Sequence, residues 1–293
     1  MSFSAASWSA AGWRCMGSMA REPRRLLIAP QRLAAALSRG ERLDPEPAES
    51  HYLRRVLRCR PGEPIALVDG VGGLCPAELE ADGSLRLVPG ECQRQAASAC
   101  PIQLALALPR REVDLVWRMA TELGVDGFQP LLAERCQPQP LPRERWRAIV
   151  REAVEQSERL WLPTLEEPRP AVAWLGVPAA GLGLLATTRQ EALPQLETVL
   201  SGARPQVFPQ SIRLAIGPEG GWSQAEEAAA TGAGWLAVSL GPTILRCSTA
   251  AVAAVARLVS WRTLSCAASR QPSPGSDPDQ RQPGDGAADW PRG

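Results

Sequence analysis

The sequence predicts an α/β protein with a largely parallel sheet, preceded by a smaller unit of short strands. Three observations predict it. Apolar strand-like runs alternate with helical runs about five times after residue 100, a pattern that covers both faces of a parallel sheet with helices. Short strand-like runs between residues 64 and 88 are separated by glycine turns, as in a small barrel. Residues 211–259 repeat strand, glycine–proline loop and helix twice, with both loops at carboxyl ends of strands, where open α/β sheets bind ligands.

Length and composition fit that reading. A chain of 293 residues, 45% of them apolar, is long enough for two domains with real cores. The net charge is only +1, so no global basic field points to nucleic acid. All 32 cationic side chains are arginine, a group that can bind phosphate bidentately. His51 is the single histidine. The eight cysteines (Cys15, Cys59, Cys75, Cys92, Cys100, Cys136, Cys247 and Cys266) are scattered, with no Cys-x-x-Cys pair. That pattern argues against a zinc site, and no metal is expected. A Ser-His-Asp triad lacks its G-x-S-x-G elbow. Reduced, intracellular thiols fit a chain with a large apolar core better than a disulfide framework does. No apolar run reaches membrane-spanning length.

The first unit spans residues 21–95. A strand at 26–29 precedes a helical run at 31–37. Strands follow at 64–69 and 74–80, and Asp82-Gly83 is a good hairpin turn into a strand at 85–88. Residues 51–60 carry His51, Tyr52, Arg54, Arg55, Arg58 and Arg60. This cluster fits a solvated helix face. It also fits an RNA contact, because phosphate neutralisation supplies most non-specific affinity. Residues 92–100 read as a polar linker.

The second unit spans residues 100–262 and opens on a buried strand at 102–108. Val113, Val116, Ala120 and Leu123 form one apolar helical stripe, which Gly124 stops. A strand at 128–132 leads to a long helix with Trp146, Ile149, Val150, Ala153 and Val154 on one face and Arg147, Arg151, Glu155 and Glu158 on the other. A strand at 182–187 and a helix at 190–200 follow. A strand at 212–216 then runs into Gly217-Pro218-Glu219-Gly220-Gly221. Ser223 opens the next helix with Glu226 three residues on, the capping-box spacing, and Gly232 can close it. A strand at 236–240 runs into Gly241-Pro242-Thr243-Ile244-Leu245-Arg246, and Ser248 or Thr249 can cap the Ala- and Val-rich last helix.

Glycine lets a backbone approach a ligand closely, and proline stiffens each loop. An ordinary pair of βα turns is the plain alternative. Arg246 adds a fixed cation beside a helix start that already favours anions.

The Ile-Gly-Pro-Glu-Gly-Gly run at 216–221 and the segment 238–250 resemble the C-terminal signature of the 16S ribosomal RNA (uridine-N3)-methyltransferase family, of the SPOUT class. Residues 51–63 with Asp69, Gly70 and Gly72 resemble its N-terminal PUA-like barrel. Residues 120–125, 134–136 and 155–159 resemble three further family segments, in order. The resemblance implies a SPOUT-type sheet with a C-terminal trefoil knot, a feature no periodicity would predict. It implies S-adenosylmethionine as cofactor, held mostly by backbone at Thr187, Thr188, Ile216, Gly217, Pro218, Glu219, Gly220, Gly221, Leu240, Gly241, Ile244 and Leu245. Arg246 is the expected catalytic residue, stabilising charge on a uridine base. His51, Arg54, Arg55, Arg58, Arg135 and Arg159 are the expected RNA contacts. The expected partner is small-subunit rRNA or the assembled small ribosomal subunit, met by a cytoplasmic homodimer. A non-catalytic RNA-binding assembly protein and a SPOUT enzyme with another RNA target are the alternatives.

Two segments depart from the family pattern. Many relatives carry Glu where this chain has Ser248, which reads here as a helix cap, and the family's segment at 187–189 is altered to Thr-Thr-Arg. Residues 1–20 read as a disordered, transit-like or mis-started leader, and residues 263–293 as a disordered tail.

Overall fold

The structure is a computed structural model that describes residues 23–268, apart from 138–139, 189, 191 and 203–208. The expectations for residues 1–20, for Arg189 and for the tail beyond Ala268 lie outside the described residues.

In the first unit, β1 (Arg24–Leu27), β2 (Arg42–Leu43), β3 (Pro64–Val68), β4 (Gly73–Leu79), β5 (Leu85–Leu87) and β6 (Gln93–Arg94) form one sheet. Its order is β1-β3-β4-β5-β2, with β6 on β4. Only β1–β3 is a parallel pair among these. Strand side chains alternate between faces. Ile65, Leu67, Cys75, Ala77, Leu79, Leu85 and Leu87 take one face, closed by Leu33 and Ala36 of α1 (Pro30–Arg39) and by Leu53. Leu27, Ala66, Val68 and Leu74 take the other, against Leu160 and Trp161 of the second unit. The arginine cluster follows α2 (Pro47–His51), which passes directly into a π-helical turn at Tyr52–Val56.

One expectation about cysteine is corrected here: Cys75 and Cys92 form a disulfide. β4 runs antiparallel to β6 with Leu74 opposite Gln93, so the next residues out, Cys75 and Cys92, face each other. Spacing along the chain does not show that register.

In the second unit, β7 (Ile102–Ala107), β8 (Gly127–Leu132), β9 (Thr164–Leu165), β10 (Arg169–Pro170), β11 (Leu182–Ala186), β12 (Ile212–Ile216) and β13 (Leu236–Val238) form a seven-stranded sheet. Among the described residues its strands pair in parallel, in the order β10-β8-β7-β12-β11-β13 with β9 on β8. One face packs on α3 (Val113–Leu123), α4 (Arg143–Gln156), α6 (Leu196–Gly202) and α8 (Cys247–Ala268), around Leu104, Leu106, Trp117, Leu214 and Ala251. The other packs on α5 (Ala171–Leu175) and α7 (Gln224–Gly232), around Ala105, Leu131, Trp174, Trp222 and Trp235. Burial on both faces explains why these strands read as continuous apolar runs.

The last crossover positions the site. β13 lies at the sheet edge beside β11, yet α8 packs on α3, β7 and β12 in the middle. The chain after β13 therefore passes back over the carboxyl ends of β11 and β12. Other differences from the sequence reading are local. The helix expected at 190–200 starts only at Leu196, because Pro194 and Gln195 are held extended against Ser239. Gly232 remains helical, and Gly234 takes the left-handed turn at φ 79°. The last helix continues to Ala268, past the expected tail boundary at 263.

The two units are tied through β1 and the loop after β3. Arg25 donates to the Glu158 carboxylate and carbonyl, both at 2.7 Å. Glu155 accepts from Leu27 N at 2.9 Å, and Arg151 donates to Leu27 O at 3.1 Å. Gly72 N donates to Leu160 O, and Leu162 N to Gly70 O, both at 2.9 Å. Asp69 shapes that loop by accepting from Val71 N and Gly73 N.

Candidate functional site

Parallel strands send their carboxyl ends to one edge, so the loops after β7, β8, β11, β12 and β13 share it. Specific bonds draw them together. Trp222, buried just after the Gly217–Gly221 segment, donates its indole N–H to Ala186 O at the end of β11, at 3.0 Å. Thr187 N reaches Val238 O at the end of β13, at 3.1 Å. Arg135, after β8, donates to Gly220 O at 3.0 Å. The 216–221 loop is thus braced from both sides.

Two of its glycines pack closely on their neighbours and a third has a left-handed backbone. A Cβ on Gly217 would lie 3.1 Å from the Trp222 ring, and one on Gly220 would lie 3.2 Å from Arg135 Cβ. Gly221 sits at φ 73° and closes a turn onto Pro218 O. The capping box at Ser223 and Glu226 forms as its spacing predicts. Glu226 is 2% exposed and reaches farther than a cap: one oxygen accepts from Ser223 N and the other from Glu134 N. It therefore links the loop after β8 to the loop after β12.

The last loop completes the edge. Leu240 O accepts from Arg257, and Gly241 N donates to the Ser239 hydroxyl. Ile244 is 75% exposed, whereas Leu245 packs partly into the core. Arg246 is exposed, and its carbonyl accepts from Ala250 N at the start of α8. Cys247, the first helical residue, turns its thiol to Ala107 O at the end of β7. Burial, with smaller contributions from nearby Glu219 and Cys136, pushes that thiol up to about 12, so it stays neutral. Ser248 lies inside the helix and does not cap it. Its hydroxyl donates to the Glu112 carboxylate.

The structure thus brings Thr187, Thr188, the 216–221 loop, Leu240, Gly241, Ile244, Leu245 and Arg246 to one edge. Arg135 belongs to this edge too, as the brace on Gly220. Arg159 does not fit its expected RNA role. Its side chain is 14% exposed, donates to Thr121 O and Val125 O, and lies 4.0 Å from Asp126. Burial lowers its pKa to about 10, still cationic near neutrality. It ties the end of α4 to the end of α3, because a long guanidinium beside exposed carbonyls serves them before solvent. His51, Arg54, Arg55 and Arg58 are exposed together on the first unit. Sequence reasoning missed Glu112 and Trp222. Glu112 had one signal, its place just before the stripe beginning at Val113.

Comparison with known proteins shows the family. A family described as an RNA methyltransferase domain matches residues 96–259, and one described as an RNA methyltransferase PUA domain matches residues 45–89. The chain is 38% identical over 241 residues to a Ribosomal RNA small subunit methyltransferase E from Synechocystis, covering 80% of this chain and 76% of that protein. A Mycobacterium bovis protein of the same name is 37% identical over 220 residues, covering 71% and 82%. Among solved structures, that of a Neisseria gonorrhoeae Ribosomal RNA small subunit methyltransferase E bound to S-adenosyl methionine aligns with a TM-score of 0.70 at 29% identity, over 81% of this chain and 97% of that one.

Proposed function

The chain belongs to the RNA methyltransferase family of small-subunit ribosomal RNA methyltransferase E, and from that premise we propose that it methylates N3 of a uridine in 16S ribosomal RNA, using S-adenosylmethionine. The observation that supports this reading best is the shared edge: a glycine loop in which Gly217 and Gly220 pack closely on Trp222 and Arg135, with Arg246 at the adjoining helix start.

The residues present fit the cofactor. A nucleoside with a short amino-acid arm needs close backbone approach, apolar cover and few charges. Gly217, Pro218, Glu219, Gly220 and Gly221 offer the approach, Ile216, Leu240, Ile244 and Leu245 the apolar cover, and Thr187, Thr188 and Gly241 further polar backbone. When bound, S-adenosylmethionine supplies a methyl group already activated on a sulfonium. The chain must then deal with the uridine, whose N3 passes its proton to water and takes the methyl as the S–CH3 bond breaks, leaving S-adenosylhomocysteine. Arg246 stabilises the charge developing on O2 or O4, beside a helix start that favours the same sign. His51, Arg54, Arg55 and Arg58 hold the RNA backbone at a distance from the chemistry. The reading includes a homodimer acting where ribosomes are assembled, in the cytoplasm, with light scattering as the check on its size.

The test is methyl transfer from labelled S-adenosylmethionine to small ribosomal subunits that lack the modification, followed by nucleoside mass spectrometry. 3-Methyluridine is expected. A different methylated nucleoside overturns the N3 assignment.

A further inference from the structure

We propose that Glu112 is a positioning residue for this site: it latches the first turn of α8 through Ser248 and so fixes the segment that ends in Arg246. The inference rests on the function proposed above, and three observations carry it.

The first is the backbone of Glu112. It sits in the left-handed region at φ 69° and ψ 12°, at the N-cap of α3. A non-glycine residue is uncommon there and persists where its surroundings hold it. Its side chain makes no capping bond to its own helix. The conformation is instead matched by an outside partner.

That partner is the second observation. The Ser248 hydroxyl, in a residue only 7% exposed, donates to Glu112 Oε2 at 2.5 Å. A hydroxyl-to-carboxylate bond at a partly dry position is among the stronger hydrogen bonds. Beside it, the Cys247 thiol meets Ala107 O, so two successive residues of α8 are seated on the end of β7 and the start of α3.

The third is the other end of the same helix pair. Arg262 of α8 donates to Gly124 O, just past α3, and to Asp126. Residues 248 to 262 and 112 to 124 each rise about 20 Å in a helix. The two helices therefore lie side by side, pinned at both ends. The Arg262 end lies far from the loops, so it can hold the fold alone. The Glu112 end lies two residues from Arg246, where a slack first turn would let the catalytic loop wander. A displacement of about 1 Å in a positioned group can cost about a hundredfold in rate.

The experiment compares Glu112→Ala, Glu112→Gln, Ser248→Ala and the Glu112→Ala/Ser248→Ala double variant with wild type. It measures kcat on small subunits, S-adenosylmethionine affinity by calorimetry, and Tm. Either alanine variant is expected to lower kcat about tenfold, the worth of one charge-assisted hydrogen bond. The double variant should be no worse than either single, since one bond is lost in all three. Glu112→Gln keeps an acceptor oxygen and should recover most of the rate. Ser248→Glu places two carboxylates against each other and should abolish turnover, whereas adding Glu112→Lys should restore it as an ion pair.

Alanine variants that lose Tm but keep the wild-type kcat overturn the proposal, as do single effects that simply add. If wild type binds S-adenosylmethionine yet does not methylate small subunits, the proposed substrate fails. The latch is then decided by cofactor affinity: a drop in Glu112→Ala that Glu112→Gln reverses supports it, and unchanged affinity overturns it.

Discussion

At the scale of the residue, Glu226 shows how much one carboxylate can organise. Fully covered, it satisfies the N–H of Ser223 and the N–H of Glu134, which belong to different loops of the site. Glu226→Ala removes both acceptors, leaving the buried Ser223 N–H unpaired and the N–H of the exposed Glu134 to solvent, a loss of about 1–3 kcal/mol in denaturant unfolding. Arg159 makes the opposite point about charge. Its guanidinium is spent on Thr121 O and Val125 O, next to Asp126. Arg159→Met should cost about 1–3 kcal/mol of stability by taking a donor from Thr121 O and Val125 O, while Arg262 still holds Asp126. The salt dependence of RNA affinity should stay at the wild-type slope. Arg54→Ala, by contrast, should lower that slope by about 0.7–0.9, one phosphate contact. A slope reduced by Arg159→Met would return that residue to the RNA surface.

At the scale of the element, α4 does more than cover the sheet. Its polar face carries Glu155, which holds Leu27 N and meets the Tyr52 hydroxyl at the head of the π-helical turn. Burial pushes the Glu155 carboxyl above its ordinary value, against the bonds from Leu27 and Tyr52 and the charge of Arg151. Burial first, then Glu155, likewise raises the Tyr52 phenol. An acid raised on folding binds more protons in the native state. Its contribution is therefore fully present below the unfolded value, about 4.3, and is lost as pH rises through the folded value. Glu155→Gln keeps an oxygen for both donors and removes that pH-dependent cost. It should be at least as stable as wild type at pH 7 and should show a flatter stability profile from about pH 4 upward. Glu155→Ala should be less stable at both ends. A Glu155→Gln variant that melts below wild type at pH 7 would show that ionisation there is favourable. The elements themselves were legible to different degrees. Strands β7, β8, β11 and β12 read clearly because burial on both faces makes them apolar runs. β9 and β10 are two residues each, and α5 is one turn, too short for any periodicity to register. The glycine cradle and the Arg246 loop could be placed from turn chemistry alone. Glu112 and Trp222 could not, because their roles depend on which strand ends meet.

At the scale of the whole molecule, the two units act through a seam that the sequence suggested only as a barrel loop. Residues 69–73 look like turn chemistry, yet Gly70 and Gly72 exchange backbone bonds with residues 160–162 of the other unit. Gly72 is the tightest point. It holds φ 96°, and a Cβ there would fall 2.3 Å from Gln95 O and 2.9 Å from the Trp161 ring. Gly72→Ala is therefore strained in backbone and in space, and about 2–4 kcal/mol of docking should be lost. The cradle and Arg246 lie on the sheet edge of the second unit, and the exposed arginines lie on the first. Loosening the seam separates these two surfaces and leaves the cradle as it is, while the first unit shifts locally at Gln95. Gly72→Ala should then bind S-adenosylmethionine as wild type does, while kcat/KM on small subunits falls about tenfold or more. Calorimetry should resolve two transitions where wild type shows one, because units joined by few contacts melt independently. A variant that lost cofactor affinity in proportion to its loss on RNA would show that the seam supports the catalytic unit itself and does not align two surfaces.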